Sequence, residues 1–171
     1  VDIDKHKIKA WNSIDLKELP IFEPGLEQII EICRGKNLYF SSDIEKCISK
    51  ADVIFISVNT PIKKKGLGAG FASDLKWVEA CAREVAKFAK GHSIVVEKST
   101  LPVRTAEVIQ KILYSSKRNS KDESKSFKVL SNPEFLAEGT AINDLLNPDR
   151  VLIGGDDQQA MLSLKDIYKE W

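Results

Sequence analysis

Val53-Ile54-Phe55-Ile56-Ser57-Val58-Asn59-Thr60-Pro61 reads as a buried strand that runs directly into a polar loop. The strand spans Ala51 to Val58. Its four consecutive apolar residues leave no polar face, as in a parallel strand covered by helices on both sides. Small hydrogen-bonding residues then take over at the carboxyl end. That is where open parallel sheets hold ligands, and it is equally the composition of an ordinary turn.

Two more segments repeat the arrangement. Ser93-Ile94-Val95-Val96-Glu97 is an apolar strand followed by Lys98-Ser99-Thr100-Leu101-Pro102. Phe127-Lys128-Val129-Leu130-Ser131 is another, and it opens into Asn132-Pro133-Glu134-Phe135-Leu136-Ala137-Glu138-Gly139. Leu38-Tyr39-Phe40 and Val151-Leu152-Ile153-Gly154-Gly155 read as shorter strands, and Val1-Asp2-Ile3 has strand-like alternation.

Helical spacing fills the intervals. Lys5-His6-Lys7 starts a helix with Ile8 and Trp11 on its apolar side. Leu26, Ile29, Ile30 and Cys33 form an amphipathic set, with Pro24 in the first turn and Gly35 past the end. Ser42 or Asp43 caps a short helix carrying Ile44, Cys47 and Ile48. The longest helix is expected from Asp74 to Lys90, with Leu75, Val78, Ala82, Val85, Ala86 and Ala89 as its core stripe. Val108, Ile109, Ile112 and Leu113 mark another helix. Leu162, Leu164, Ile167 and Tyr168 mark a terminal one that stops at Trp171. Residues 63–74, rich in lysine and glycine, read as a mobile lid or solvent loop, and 115–126 as a flexible insertion. Strands alternate with amphipathic helices at least four times. The fold class is α/β: a Rossmann-like, three-layer parallel sheet with helices on both faces.

Composition narrows the function. The 171 residues are 43% hydrophobic and 30% charged, with a net charge of +1. One domain with a sizeable core is expected. The charge makes no electrostatic case for nucleic acid or an anionic membrane, and no apolar run reaches transmembrane length. Cys33, Cys47 and Cys81 are odd in number and widely spaced. They suit a reducing compartment, lack metal-ligand spacing, and each falls in a helix-like packing pattern.

Three strand ends enriched in small polar residues favour a small-molecule or dinucleotide site over a purely structural domain. Asp2 then has a role as the acidic residue that accepts the ribose hydroxyls of a dinucleotide. A carboxylate repels a 2′-phosphate, so NAD is favoured over NADP. Its competing role is helix capping, for which Asp4 is the rival. Glu134 and Glu138 are four apart, so a helical turn would turn both the same way. They read either as an acid/base or substrate-orienting pair, or as the solvated acidic first turn of a helix.

Glu23-Pro24-Gly25-Leu26, Ser57-Val58-Asn59-Thr60-Pro61, Glu97-Lys98-Ser99-Thr100-Leu101-Pro102-Val103, the 132–139 stretch and Asn147-Pro148-Asp149-Arg150-Val151-Leu152-Ile153-Gly154-Gly155 together resemble the successive motifs of nucleotide-sugar dehydrogenases, the UDP-glucose/GDP-mannose dehydrogenase family. The likeness covers nearly the whole chain and is nearest to the eukaryotic UDP-glucose branch. It implies that residues 1–171 are a partial N-terminal NAD-binding domain, with the first strand and glycine-rich loop before Val1 and the nucleophilic cysteine beyond Trp171. This fragment alone is then expected to be inactive. The parent is expected to oxidise C6 of UDP-glucose to a carboxylate with two NAD⁺ in succession, through a cysteine thioester.

By the same resemblance, Asp2 takes the adenosine ribose with Lys7 nearby. Val58, Asn59 and Thr60 line the cofactor. Ser99 and Thr100 approach the nicotinamide, with Thr100 helping to position water. Glu134 assists proton transfer or water activation in thioester hydrolysis. Phe135 and Leu136 hold the sugar nucleotide largely by backbone contacts, and Glu138 lies where cofactor and substrate meet. The family further implies a homo-oligomer, dimer or hexamer, in a cytoplasmic setting. Two alternatives stay open: a dehydrogenase of another nucleotide sugar, such as GDP-mannose or UDP-N-acetylmannosamine, and a catalytically silent nucleotide-binding or interaction module.

Overall fold

The computed structural model describes residues 1–100, 102, 104–118 and 124–170. The expectations that fall on Leu101, Val103, residues 119–123 and Trp171 lie outside the described residues. The chain forms two compact units, one of Val1–Cys47 with Phe135–Arg150, the other of Ile48–Glu134 with Val151–Trp171.

The second unit holds the sheet. Strands β1 (Val53–Ile56), β2 (His92–Glu97), β3 (Ser126–Ser131) and β4 (Gly154–Gly155) lie in that order. The first three are parallel, with Val53 opposite Ile94 and Ile94 opposite Lys128. β4 is antiparallel to β3, so the expected parallel sheet is mixed at this edge. β4 is also shorter than the five-residue strand expected at 151–155. Gly155 lies flush on β3, where an added Cβ would meet Leu130 Cδ2 at 2.5 Å.

Alternation along the strands distributes the core to both faces. Ile56, Val95 and Phe127 pack against helices α4 (Lys76–Phe88) and α5 (Thr105–Arg118) through Val78, Ala82, Val85, Ile109 and Leu113. Ile94, Val96 and Leu130 face α7 (Gln158–Tyr168) through Ala160 and Leu164. β2, between two parallel neighbours, is buried from Ser93 to Glu97. β1 is different: Phe55 is 42% exposed, so covering on both faces fails there. α5 has 14 residues and exceeds α4 by one. It also takes residues 115–118 out of the expected flexible insertion. Lys125 Nζ donates to the carbonyls of Ala86 and Lys87 at 3.2 and 3.0 Å, closing the end of α4.

The lysine- and glycine-rich loop is folded on itself rather than open. Lys63 N donates to Ala72 O at 2.8 Å, Gly70 N to Lys63 O at 2.9 Å, and Asp74 N to Pro61 O at 2.7 Å. Ile62 and Ser73 form an antiparallel bridge.

The first unit contains α1 (Lys5–Trp11), a 3-10 turn at Leu16–Glu18, α2 (Leu26–Cys33), most of α3 (Ile44–Ile48) and α6 (Ala141–Leu146). Asp4 caps α1, accepting from His6 N and Lys7 N. Gly25 is the N-cap of α2 at φ 89°, a left-handed conformation that favours glycine. Pro24 therefore lies before the helix, not in its first turn. Asp43 caps α3 through Lys46 N at 3.1 Å. Neither 1–3 nor 38–40 is a strand. Leu38 makes an isolated bridge with Arg34, and Phe40 stacks on Trp11 at 4.8 Å between centroids.

Leu113 is fully buried between α5 and the sheet. Leu113→Ala is expected to lower unfolding free energy by about 2–5 kcal/mol in a denaturant titration, whereas Leu67→Ala, at a 98% exposed position, leaves it within about 0.5 kcal/mol.

Asp157 caps α7 through Ala160 N at 2.9 Å and pairs with Lys128 Nζ at 2.6 Å. The Lys128 hydrogen bond, then the Ala160 amide, hold its carboxyl below the usual aspartate range. A depressed folded pKa contributes stability above the unfolded value and loses it as pH falls through the folded value. Asp157→Asn keeps a capping oxygen and removes the charge. Denaturation midpoints measured from neutral pH down through about pH 4, the unperturbed aspartate value, are therefore expected to fall less steeply in the variant.

Candidate functional site at the carboxyl ends of the strands

β1 and β2 remain joined past their ends. Lys98 N and Ser99 N approach Ile56 O at 3.0 and 3.3 Å. The Ser99 hydroxyl accepts from Val58 N at 2.9 Å and lies 2.8 Å from Val58 O. Thr60 Oγ1 donates to Thr100 O at 3.1 Å. Four expected site residues, Val58, Thr60, Ser99 and Thr100, are thus brought together. Asn59 sits exposed between Val58 and Thr60. Ser99 turns its hydroxyl onto Val58, a contact that shapes this loop. Thr100 is exposed, with its carbonyl held by Thr60.

The next register position is a buried polar cluster. Asn132 N donates to Glu97 O at 2.9 Å, extending the β2–β3 ladder by one step. Asn132 is 1% exposed. Its Oδ1 accepts from Lys98 Nζ at 3.2 Å and from Tyr168 Oη at 2.6 Å, and its Nδ2 donates to Leu152 O at 2.7 Å. Lys98 Nζ also lies 2.8 Å from Tyr168 Oη. Losing one partner would leave buried polar atoms unsatisfied, at about 1–3 kcal/mol each. Glu134 follows two residues later and is half-buried. Glu97, across from Ser131, is buried, and that burial pushes its carboxyl up while the Ser131 hydroxyl pulls it back.

Glu134 and Glu138 are not on a helix. Residues 132–137 have no regular secondary structure, and a turn covers 138–140 before α6 begins. Pro133 keeps Asn132 out of the helical region, and two carboxylates in the first unit pin the backbone instead. Glu23 accepts from Gly139 N at 2.9 Å and Ala141 N at 3.3 Å. Asp144 accepts from Ala137 N at 3.1 Å and from the Thr140 hydroxyl at 2.8 Å. Phe135 is half-exposed beneath the Arg150 guanidinium, 4.5 Å from its ring centroid. Leu136 and Glu138 are exposed in the same unit. Sequence reading placed Glu23 only at a helix start. The readable signal was a carboxylate before Pro-Gly, too early to cap α2. Nothing in one-dimensional spacing pointed to the pairing of Lys98 with Asn132 and Tyr168.

At the chain start, Asp2 does not cap α1. Its Oδ1 accepts from Asp4 N at 2.8 Å and its own amide donates to Ser41 O at 3.2 Å. Lys7, on α1, is exposed. Cys33, Cys47 and Cys81 are free thiols on α2, α3 and α4, and burial, with Glu84 adding to it, pushes the Cys81 thiol up, away from a nucleophilic thiolate. Among the described residues no cluster of histidine, cysteine and carboxylate side chains could hold a metal ion, and no helix is long and apolar enough to cross a membrane.

Each unit carries groups of the kind a nicotinamide dinucleotide takes. In the second unit, Asn59 and Thr100 are exposed and half-buried Val58 offers an apolar wall; in the first, half-buried Asp2 is a carboxylate able to accept from ribose hydroxyls. The sequence contains no G-x-G-x-x-G to cradle a pyrophosphate.

Comparison with known proteins agrees. The chain is 57% identical over 175 aligned residues to UDP-glucose 6-dehydrogenase 1 of Arabidopsis thaliana, covering 100% of this chain and 35% of that protein. It is 53% identical to UDP-glucose 6-dehydrogenase of Gallus gallus, covering 100% and 34%. The chain thus spans about a third of the length of the curated relatives it matches. Its fold superimposes on a UDP-glucose dehydrogenase from Pyrobaculum islandicum with a TM-score of 0.83 at 32% identity, over 98% of this chain and 37% of that one. A GDP-mannose dehydrogenase from Pseudomonas aeruginosa, solved as a ternary complex, gives 0.83 at 33% identity, over 99% and 38%. The family model described as the NAD binding domain of the UDP-glucose/GDP-mannose dehydrogenases matches residues 1–171, and the chain belongs to that family.

Proposed function

We propose that this chain is the NAD-binding part of an enzyme that oxidises UDP-glucose to UDP-glucuronate by two successive oxidations at C6. The observation that carries the reading is the 57% identity, over the whole chain, to a UDP-glucose 6-dehydrogenase. The fold alone does not choose the sugar, because the UDP-glucose and GDP-mannose enzymes superimpose equally well.

Bound NAD⁺ would supply the acceptor for the hydride released from C6. The chain's own residues then hold, orient and move protons. Asp2 takes the adenosine ribose, with Lys7 beside that end. Val58, Asn59 and Thr60 line the cofactor from the loop after β1. Ser99 fixes that loop through Val58, and exposed Thr100 orients the water that ends the second oxidation. Glu134 is the carboxylate suited to take a proton from that water, since hydrolysis of an acyl intermediate needs a positioned base. Phe135 and Leu136 present backbone to the sugar nucleotide, and the Glu23 and Asp144 contacts that pin 137–141 fix the turn that follows them. Glu138 serves where cofactor and substrate meet. None of the three cysteines is assigned as nucleophile. The same reading includes a homo-oligomer in the cytoplasm, where free thiols persist.

The test uses the protein at its natural length, assayed by NADH formation with UDP-glucose, GDP-mannose and UDP-N-acetylmannosamine. UDP-glucose is expected to give the highest kcat/KM and two NADH per sugar oxidised. A preference for GDP-mannose would move the chain to the sister branch, and turnover of none would leave a binding module. Glu134→Gln is expected to reduce kcat by roughly 10²–10⁴-fold. Asp2→Asn is expected to raise KM for NAD⁺ about tenfold with a smaller change in kcat, as for a group that binds ground and transition states alike.

A further inference from the structure

Lys98, Asn132 and Tyr168 form a closed triangle. Tyr168 Oη lies 2.8 Å from Lys98 Nζ and 2.6 Å from Asn132 Oδ1, and Lys98 Nζ lies 3.2 Å from the same Oδ1. Asn132 is further tied to Glu97 O and Leu152 O. The triangle therefore joins the end of β2, the end of β3, the segment before β4 and the last turn of α7. Lys98 immediately precedes Ser99 and Thr100. Asn132 is separated from Glu134 by Pro133 alone, whose ring removes one backbone freedom. The two loops that carry the proposed water-orienting and proton-accepting groups thus leave the sheet from one common anchor. Lys98 adds an ammonium 5.5 Å from the Tyr168 ring centroid, so its charge is held by a hydroxyl, an amide oxygen and a ring face.

We infer that Lys98, Asn132 and Tyr168 are positioning residues: they set the placement of Thr100 and Glu134 relative to each other from outside the reacting groups. The inference deepens the dehydrogenase reading and rests on it for its catalytic consequence. Its structural consequence, rigid loops at 98–100 and 132–134, stands separately. The lever arm is short. A misplacement of about 1 Å in a catalytic group costs roughly 100-fold in rate, and Tyr168 reaches the anchor through a single hydroxyl.

The experiment uses the natural-length protein with Tyr168→Phe, Lys98→Met and Lys98→Arg. Tyr168→Phe keeps the ring against the sheet and deletes only Oη. Steady-state kinetics, thermal unfolding and amide hydrogen exchange are measured on each. For Tyr168→Phe and Lys98→Met, kcat is expected to fall roughly 10- to 100-fold, with both KM values within about twofold of wild type. Amide exchange is expected to rise in 98–100 and 132–134 while α4 and α5 keep their protection. Lys98→Arg, which retains a cationic donor, is expected to recover part of kcat. Unchanged exchange in the two loops would overturn the inference. So would unchanged kcat beside a lowered unfolding temperature, which is the signature of packing alone. If the wild-type protein oxidises no nucleotide sugar, the functional reading fails by itself. The exchange measurement still decides whether the triangle holds the loops.

Discussion

A strand buried on both faces has to satisfy its backbone within the sheet and send its polar side chains to its ends, and β2 obeys that constraint. Its neighbours β1 and β3 take its hydrogen bonds, and its side chains alternate between α4 and α5 on one face and α7 on the other. Ile94, Val95 and Val96 fill its middle, with polar His92 and Ser93 before them and Glu97 after. Because β1 and β3 run parallel to it, all three strands release their polar loops at the same edge. The gathering of Val58, Thr60, Ser99, Thr100, Asn132 and Glu134 at this edge follows from the direction of the strands.

What holds these loops differs from what holds the sheet. Helices and strands are stabilised by area buried, at about 25 cal/mol per Å² of apolar surface. The loops are held by discrete hydrogen bonds between positions 20 to 70 residues apart: Ser99 to Val58, Thr60 to Thr100, Asn132 to Leu152, Lys98 to Tyr168. Such bonds are directional, so they define position more closely than apolar contact does. The first unit uses the same device with carboxylates, where Glu23 and Asp144 hold the turn at 138–140 that leads into α6.

The charges divide by burial. The ion pairs Arg83–Glu79, on α4, Arg104–Glu107, at the start of α5, and Lys169–Asp166, at the end of α7, are exposed, where such pairs contribute about 0–1 kcal/mol. Lys98, half-buried, is held by neutral oxygens, and Glu97 is buried with its carboxyl pushed up. The polar groups with most consequence are thus near the loops, and of the free cysteines Cys81 packs against the core beneath α4 and α5.

Much of the fold was legible in one dimension. Uninterrupted apolar runs at 53–56 and 94–96, and 3.6-residue stripes at 78–89 and 108–113, each admit one pattern of burial, so the α/β class and both core faces could be read from spacing. The strand-end residues Val58, Thr60, Ser99 and Thr100 were legible because polarity changes abruptly where a buried strand ends. Boundaries and small elements were not. Leu38-Tyr39-Phe40 has strand composition, but among the described residues no strand pairs with it; Leu38 bridges Arg34 and Phe40 stacks on Trp11. Glu134 and Glu138 have helical spacing, but Pro133 upstream and the Glu23 and Asp144 contacts to 137–141 favour an irregular path that ends in a turn. The roles of Glu23, Asn132, Lys98 and Tyr168 were decided only in three dimensions. Periodicity encodes which residues share a face of one element, and these four act by hydrogen bonds between elements far apart in the chain, whose geometry exists only after the sheet and helices have packed.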